Sequence, residues 1–346
     1  MRFFRKKNKF AGRLFISSAV FLTFAAKTLQ SMINRVLIRI KVIQLLYAWL
    51  QNPKEDARMA TDELTRSIDK AYELYHWLLQ LPIAINDYAV KRIEAGMNKL
   101  RPTEEERKPN IRFINNELVK HLAKNQELQD YVKEHGISWA EYDKLIRDLF
   151  DKIAASDLYK EYMEHTERDY EEDKMLWRNI FKKLLAPDEA LCAQLEDINL
   201  FWNDDLEIVY SFVEKTIKRL DLNAKPEDQP LLPMYRNEDD RTFGQELMET
   251  ALKNQDRYMK LIESTTKNWK TERIATMDMA IMLAALAEIE HFPTIPVSVT
   301  LNEYIEDSKF YSTENSYNFI NGVLDKIVAE LRETSGLLKA GAAVKP

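Results

Sequence analysis

Val297-Ser298-Val299-Thr300-Leu301-Asn302-Glu303, followed downstream by Phe319-Ile320-Asn321-Gly322-Val323-Leu324-Asp325-Lys326, decides the fold class. An Asn-Gly pair ordinarily marks a hairpin turn. Here its neighbours contradict that reading. Phe319, Ile320, Val323, Leu324 and Ile327 recur at helical spacing, which predicts a helix carrying Asn321-Gly322 on its surface. A glycine inside a helix costs about 1 kcal/mol against alanine, so this one is expected to serve a close backbone approach.

Composition agrees. The chain has 346 residues but only 7 glycines, few against a usual share of about 7%. Abundant Leu, Ala, Glu, Lys, Met and Gln, with no sustained strand alternation, point to an all-α protein. Its length fits two or three domains, or one domain with a large insertion. The single cysteine, Cys192, rules out an internal disulfide framework and a cysteine-rich zinc site. The net charge of -6 hides an asymmetry: residues 1–31 carry seven Lys and Arg and no acid, leaving -13 on the remainder. An acidic body argues against broad, nonspecific nucleic-acid binding.

Helical patterning is read near 33–50, 56–80, 83–99, 111–133, 138–165, 170–185, 204–220, 241–265, 272–290, 297–309 and 316–334. Prolines at 53, 82, 102, 109, 187, 226, 230 and 233 mark the breaks. Ser138 with Glu141, and Thr103 with Glu106, are capping-box candidates. Asn223–Asp240, with three prolines, is the clearest linker. From Ile274 to Ile289 only Thr276, Asp278 and Glu288 are polar, which predicts a helix surrounded by others at the centre of a bundle. Phe243, Leu247, Ala251, Tyr258 and Leu261 supply the stripe that packs against it. Asp278 and the flanking charges argue against a membrane span. Residues 1–31, basic and then apolar, read first as leader sequence outside the fold. A secretory signal or anchor and a basic arm are the alternatives.

Few residues carry recognisable chemistry. Val36, Ile40, Ile43 and Tyr47 form an apolar stripe on the first helix, flanked by Arg35 and Arg39. Such arginines are ordinarily solvated; the functional reading is a phosphate-contacting edge. Lys41 is expected to be solvated. Glu73 with His76, and Glu288 with His291, have the spacing of a di-metal carboxylate bundle, but two such pairs are unexceptional in a chain this rich in acids. No phosphate-binding glycine loop, Ser-His-Asp order or HExxH motif is visible. No cofactor, no metal and no enzymatic activity are expected. Trp77, Trp139, Trp177, Trp202, Tyr72, Tyr75, Tyr88 and Tyr142 are expected to be core.

Leu46-Tyr47-Ala48-Trp49, Ala287-Glu288-Ile289, Leu301-Asn302-Glu303 and Phe319-to-Lys326 together resemble the NusB family of bacterial transcription antitermination factors. The resemblance covers Arg35–Trp49 and Phe243 to about Leu331, separated by a long insertion. It implies a NusB-like helical bundle of residues 32–52 plus 241–334. Residues 53–240 would form a helical insertion subdomain, with the linker at 223–240, and 335–346 a flexible tail. It also implies a cytoplasmic, non-enzymatic factor that binds boxA-type RNA of ribosomal operons together with NusE, a small-subunit ribosomal protein, and joins an RNA polymerase antitermination complex.

By the same resemblance Arg35, Arg39, Gln44, Tyr311, Glu314, Asn315, Ser316 and Asn318 face RNA, and Tyr47, Glu272 and Asp278 face the protein partner. Backbone N–H groups at the helix start near Ser316 are expected to receive a phosphate. Met282 stands where an arginine is common in the family. Replacing Arg35 and Arg39 with alanine is expected to weaken RNA binding without unfolding the bundle. The competing readings are a protein-binding helical scaffold and a di-metal bundle enzyme.

Overall fold

The computed structural model describes residues 31–52, 56–165, 169–266 and 274–335. The expected leader up to residue 30, Pro53, Glu272 and the tail beyond Ser335 lie outside them. Every regular element among the described residues is helical.

In chain order the helices are α1 (Arg35–Gln51), α2 (Ala57–Met97), α3 (Glu104–Arg107), α4 (Glu117–Lys124) and α5 (Gln126–His135). Then follow α6 (Asp143–Ala155), α7 (Asp157–Glu164), α8 (Tyr170–Ile180), α9 (Glu189–Ile198) and α10 (Leu206–Arg219). The last five are α11 (Glu238–Lys253), α12 (Gln255–Thr265), α13 (Thr276–His291), α14 (Val297–Tyr311) and α15 (Ser316–Ser335).

Short polar side chains fix where the helices start. Asn34, Asn116, Asn125, Ser156, Asp188 and Asn237 each accept a backbone N–H three residues on, satisfying donors that a helix start leaves unpaired. Asn116, Asn125 and Ser156 thereby divide two segments that periodicity reads as continuous. Gly136 ends α5 in the left-handed region at φ 64°. Of the two capping-box candidates, the structure builds the one at Thr103: its Oγ1 accepts the Glu106 N–H at 3.2 Å and Glu106 Oε2 accepts the Thr103 N–H at 2.9 Å. Ser138 instead accepts the Ala140 N–H at the start of a short 3-10 turn.

Pro82 does not break its helix: α2 runs through it. The missing donor and ring clash cost about 3 kcal/mol. Burial of Leu78, Leu79, Leu81, Ile83 and Ile85 around it outweighs that, at about 1.5–3 kcal/mol per large apolar side chain.

The described residues divide into two units, one holding 31–32 and 70–234, the other 33–69 and 235–335. The division falls inside α2, between Asp69 and Lys70, rather than at the expected 52/53 border.

The unit of residues 70–234 is built on tryptophans. Trp77, Trp139, Trp177 and Trp202 are buried with Tyr75, while Tyr72, Tyr88 and Tyr142 are half-buried. The Trp139 indole N–H donates to the Trp77 carbonyl at 3.1 Å and that of Trp202 to the Lys70 carbonyl at 2.7 Å. The proline-rich segment after α10, expected as a linker, is strapped down within this unit. Leu231 and Leu232 are buried, the Leu231 N–H donates to Glu127, and Asn125 Nδ2 donates to the Pro226 and Gln229 carbonyls.

In the other unit α13 is the centre. Met277 through Ile289 are all buried, and α13 packs against α1, α11 and α14. Because α13 has no polar face, each neighbour must cover part of it. In α1 the buried residues are Leu37, Ile38, Arg39, Lys41, Val42, Ile43 and Leu46. The expected stripe of Val36, Ile40 and Tyr47 is only half-buried, and Lys41, expected in solvent, lies inside.

Gly322 and Gly244 reverse the expectation about close approach. A Cβ added at Gly322 meets nothing within 4 Å, whereas one at Gly244 on α11 would sit 2.8 Å from Ile38 Cγ2.

Candidate nucleic-acid interface

Two buried acids on α13 organise the second unit. Glu288 is fully buried and accepts side-chain hydrogen bonds at both carboxylate oxygens. Its Oε1 accepts from Arg39 Nη2 at 2.9 Å and Thr300 Oγ1 at 2.8 Å; its Oε2 accepts from Arg39 Nε at 2.7 Å and Tyr304 Oη at 3.1 Å. Arg39 Nη1 reaches Glu303 at 3.4 Å. Burial alone would lower the Arg39 pKa, but the hydrogen bonds and charge of Glu288 hold it above its ordinary value. Burial, reinforced by Glu288, pushes the Tyr304 hydroxyl well up. Asp307 completes the cluster. Its Oδ2 has no hydrogen-bond partner among the described residues. Burial, with Glu303, Glu288 and Glu306 nearby, pushes its carboxyl up to about 8 against the opposing pull of Arg39.

The second acid, Asp278, is also buried. Ser312 and Ser316 both donate to it, the latter at 3.0 Å, and Thr313 Oγ1 lies 2.6 Å from Ser316 Oγ. This knot fixes the turn between α14 and α15.

These contacts settle which expected site residues come together. Arg39 meets Glu288 near the C-terminal end of α13, whereas Gln51 Nε2 donates to Thr276 Oγ1 at its start, at 3.3 Å. The helices α1 and α13 are therefore antiparallel, and the two contacts stand about 18 Å apart along the axis at 1.5 Å per residue. The turn held by Asp278 lies at the Gln51 end. The C-terminal half of α1, with half-buried Gln44 and Tyr47, is thus on the same end of the bundle as Tyr311, Glu314, Asn315 and Asn318. Glu314, Asn315 and Asn318 are exposed, and Tyr311 is half-buried. Arg35 and Arg39 are at the opposite end.

Several expectations need correction. Arg39 is not a solvated, phosphate-facing edge: it is 4% exposed and bound to Glu288. Ser316 and Asp278, expected to face RNA and a protein partner, point into the protein and bind each other. The Ser316 N–H, expected to be open to a phosphate, donates to the Thr313 carbonyl at 3.0 Å. Arg35 keeps partial exposure, at 31%, but its Nε donates to Asp240 at 2.8 Å and its guanidinium covers the Phe243 ring at 4.9 Å. In the proposed Glu-x-x-His pairs the partners turn elsewhere: His291 Nε2 is 3.8 Å from Glu246, Glu73 pairs with Lys70, and His76 Nδ1 bonds the Tyr72 carbonyl.

Sequence reasoning missed Ser312, Thr300, Tyr304 and Asp307. The available signal was the pair of acids inside an otherwise apolar helix, since buried carboxylates must find donors.

The sequence model of the NusB family matches residues 206–329. The match starts at α10, upstream of the expected Phe243, and does not include Arg35–Trp49. "Transcription antitermination protein NusB" of Acetivibrio thermocellus is 35% identical over 124 residues, 36% of this chain and 82% of that protein. The protein of the same name from Salinibacter ruber is 34% identical over 110 residues, 32% of this chain and 69% of that protein. That of Listeria monocytogenes is 33% identical over 112 residues, 32% of this chain and 87% of that protein. No solved structure matches the chain. An all-helical protein that covers most of the length of these relatives at such identities belongs to the NusB family.

Proposed function

We propose that this chain is a non-enzymatic transcription antitermination factor that binds boxA-type RNA with the ribosomal protein NusE and joins RNA polymerase in the cytoplasm. The observation that carries this reading is the alignment with proteins named for antitermination over most of their length. Among the described residues no helix is long and apolar enough to cross a membrane. In this reading the family part is residues 33–69 and 206–335, the stretch from 206 being matched by the family model, and 70–205 is the insertion.

The RNA surface is the end of the bundle where Tyr311, Glu314, Asn315 and Asn318 stand with the Gln44–Tyr47 segment of α1. Exposed amides and an aromatic ring suit unstacked bases. Arg35, the remaining α1 candidate for a phosphate contact, lies at the opposite end of the bundle from this surface and must exchange Asp240 for phosphate to make one. Arg39 and Asp278 act from inside by holding the α1–α13–α14 packing and the turn before α15. The protein partner is assigned to Tyr47, the expected contact residue that lies among the described residues and is not buried.

The test is transcription in vitro on a template with a terminator downstream of boxA. The chain with NusE should raise read-through on that template and leave a scrambled-boxA template at baseline. Equal read-through on both would contradict the reading. The internal pairing of Arg39 favours, as second reading, a scaffold that binds protein without RNA specificity; raised read-through independent of boxA would support it.

A further inference from the structure

The unit of residues 70–234 holds a groove of about 690 Å³ between α2 and the segment from Ile137 to the first turns of α6. Its floor is rigid and apolar. Trp139 is 3% exposed with its indole N–H held by the Trp77 carbonyl, and the Tyr88 ring is backed by Phe150 at 5.6 Å between centroids.

Its rim carries three basic side chains. Lys91, Lys144 and Arg147 line it and are exposed. Neither lysine makes an ion pair within 4.0 Å among the described residues, and Arg147 has only its neighbour Asp148 at 3.4 Å. The acids on the same rim, Asp87 and Asp143, leave an excess of one positive charge among the lining residues, which Asp148 beside Arg147 offsets. At the inner edge the Gln80 Oε1 is buried with no donor, an unsatisfied acceptor that asks for an N–H.

We propose that this groove binds one nucleotide unit of a single-stranded RNA. Phosphate lies between Lys91, Lys144 and Arg147, the base lies along Tyr88, and an exocyclic amine donates to Gln80 Oε1. Basic side chains beside an aromatic wall are the arrangement that sequence-tolerant strand binding uses. The site is remote in sequence from α1 and the 311–318 turn and does not depend on their reading.

The test uses the full chain and a labelled twelve-nucleotide RNA lacking boxA. Fluorescence anisotropy over a salt series is combined with photo-crosslinking from 4-thiouridine. The Lys91→Glu/Lys144→Glu variant should bind about tenfold more weakly at low salt, with a salt slope shallower by about 1.4 for two lost phosphate contacts. Crosslinks should map to the peptides holding Tyr88 and Lys144. Both lysines are exposed, and an unchanged circular-dichroism melt verifies the fold. Asn315→Ala/Asn318→Ala, at the other proposed surface, should leave these crosslinks in place. Affinity within twofold of the parent, or crosslinks confined to residues 311–318, overturns the proposal. So does competition by AMP that matches the oligonucleotide per nucleotide, or by poly-glutamate at equal charge, since these assign the groove to free nucleotides or acidic peptides.

Discussion

Arg39 and Asp307 face the same buried cluster with opposite consequences. Arg39 is bidentate to Glu288 inside the bundle, so Arg39→Ala strands a carboxylate away from water. Removing one partner of a buried pair costs about 3–5 kcal/mol, and urea denaturation should show a loss of that order. A loss below about 1 kcal/mol would mean the pair is dispensable. The double arginine substitution expected to leave the bundle intact therefore would not do so, and the RNA role of α1 is tested with Arg35→Ala alone.

For Asp307 the sign runs the other way. The folded carboxyl keeps its proton up to about pH 8, while the unfolded one releases it near its ordinary value of 3.8. Between these values the folded state binds more protons, so this group makes stability fall as pH rises. Asp307→Asn removes that slope. The variant should be more stable than the parent at pH 8, by about 1–3 kcal/mol as for an unpaired buried polar group, and similar to it at pH 4. A parent that loses no more stability than the variant between those pH values contradicts the assignment. None of this was legible from α1 alone, because Arg39 and Glu288 are 249 residues apart and helical spacing does not say which side of a helix meets a distant acid.

Among the elements, α13 was legible because its composition leaves no polar face, and α15 because apolar spacing overrode the Asn-Gly turn signal. Less legible were the joints. Asn116, Asn125 and Ser156 each stop one helix and cap the next without interrupting the apolar pattern. Pro82 gave a false stop, since packing across α2 exceeds the cost of one missing donor. The two helix glycines make the same point. Gly322→Ala should stabilise the chain by about 1 kcal/mol through helix propensity alone, because nothing occupies the space. Gly244→Ala gains the same propensity but drives a methyl into Ile38, a β-branched, fully buried side chain. Overpacking of this kind costs about 1–3 kcal/mol, so thermal melts should move in opposite directions for the two variants. Two stabilising outcomes would show that α1 and α11 are less tightly apposed than the structure has them.

At the scale of the whole molecule, the family was legible from short motifs at the C-terminus. The insertion was legible only as helical, with its aromatics forming the core. Its boundary was not: α2 continues through the expected border, and the proline-rich segment taken for a linker is anchored by Asn125, Glu127 and Tyr75. The candidate RNA surface was half legible. Of the turn residues expected to face RNA, Glu314, Asn315 and Asn318 are exposed, Tyr311 is half-buried and Ser316 is buried, and the arginines of α1 lie at the far end of the bundle with acidic partners already in place. With so little open positive charge on that surface, strand recognition by this chain alone should be weak, and in the proposed reading NusE supplies the missing binding area. The measurement that tests this directly is titration of labelled boxA-type RNA with the chain, in the presence and absence of NusE. The account predicts tight, boxA-dependent binding only when NusE is present. Equally weak binding with and without NusE, indifferent to the boxA sequence, would contradict it.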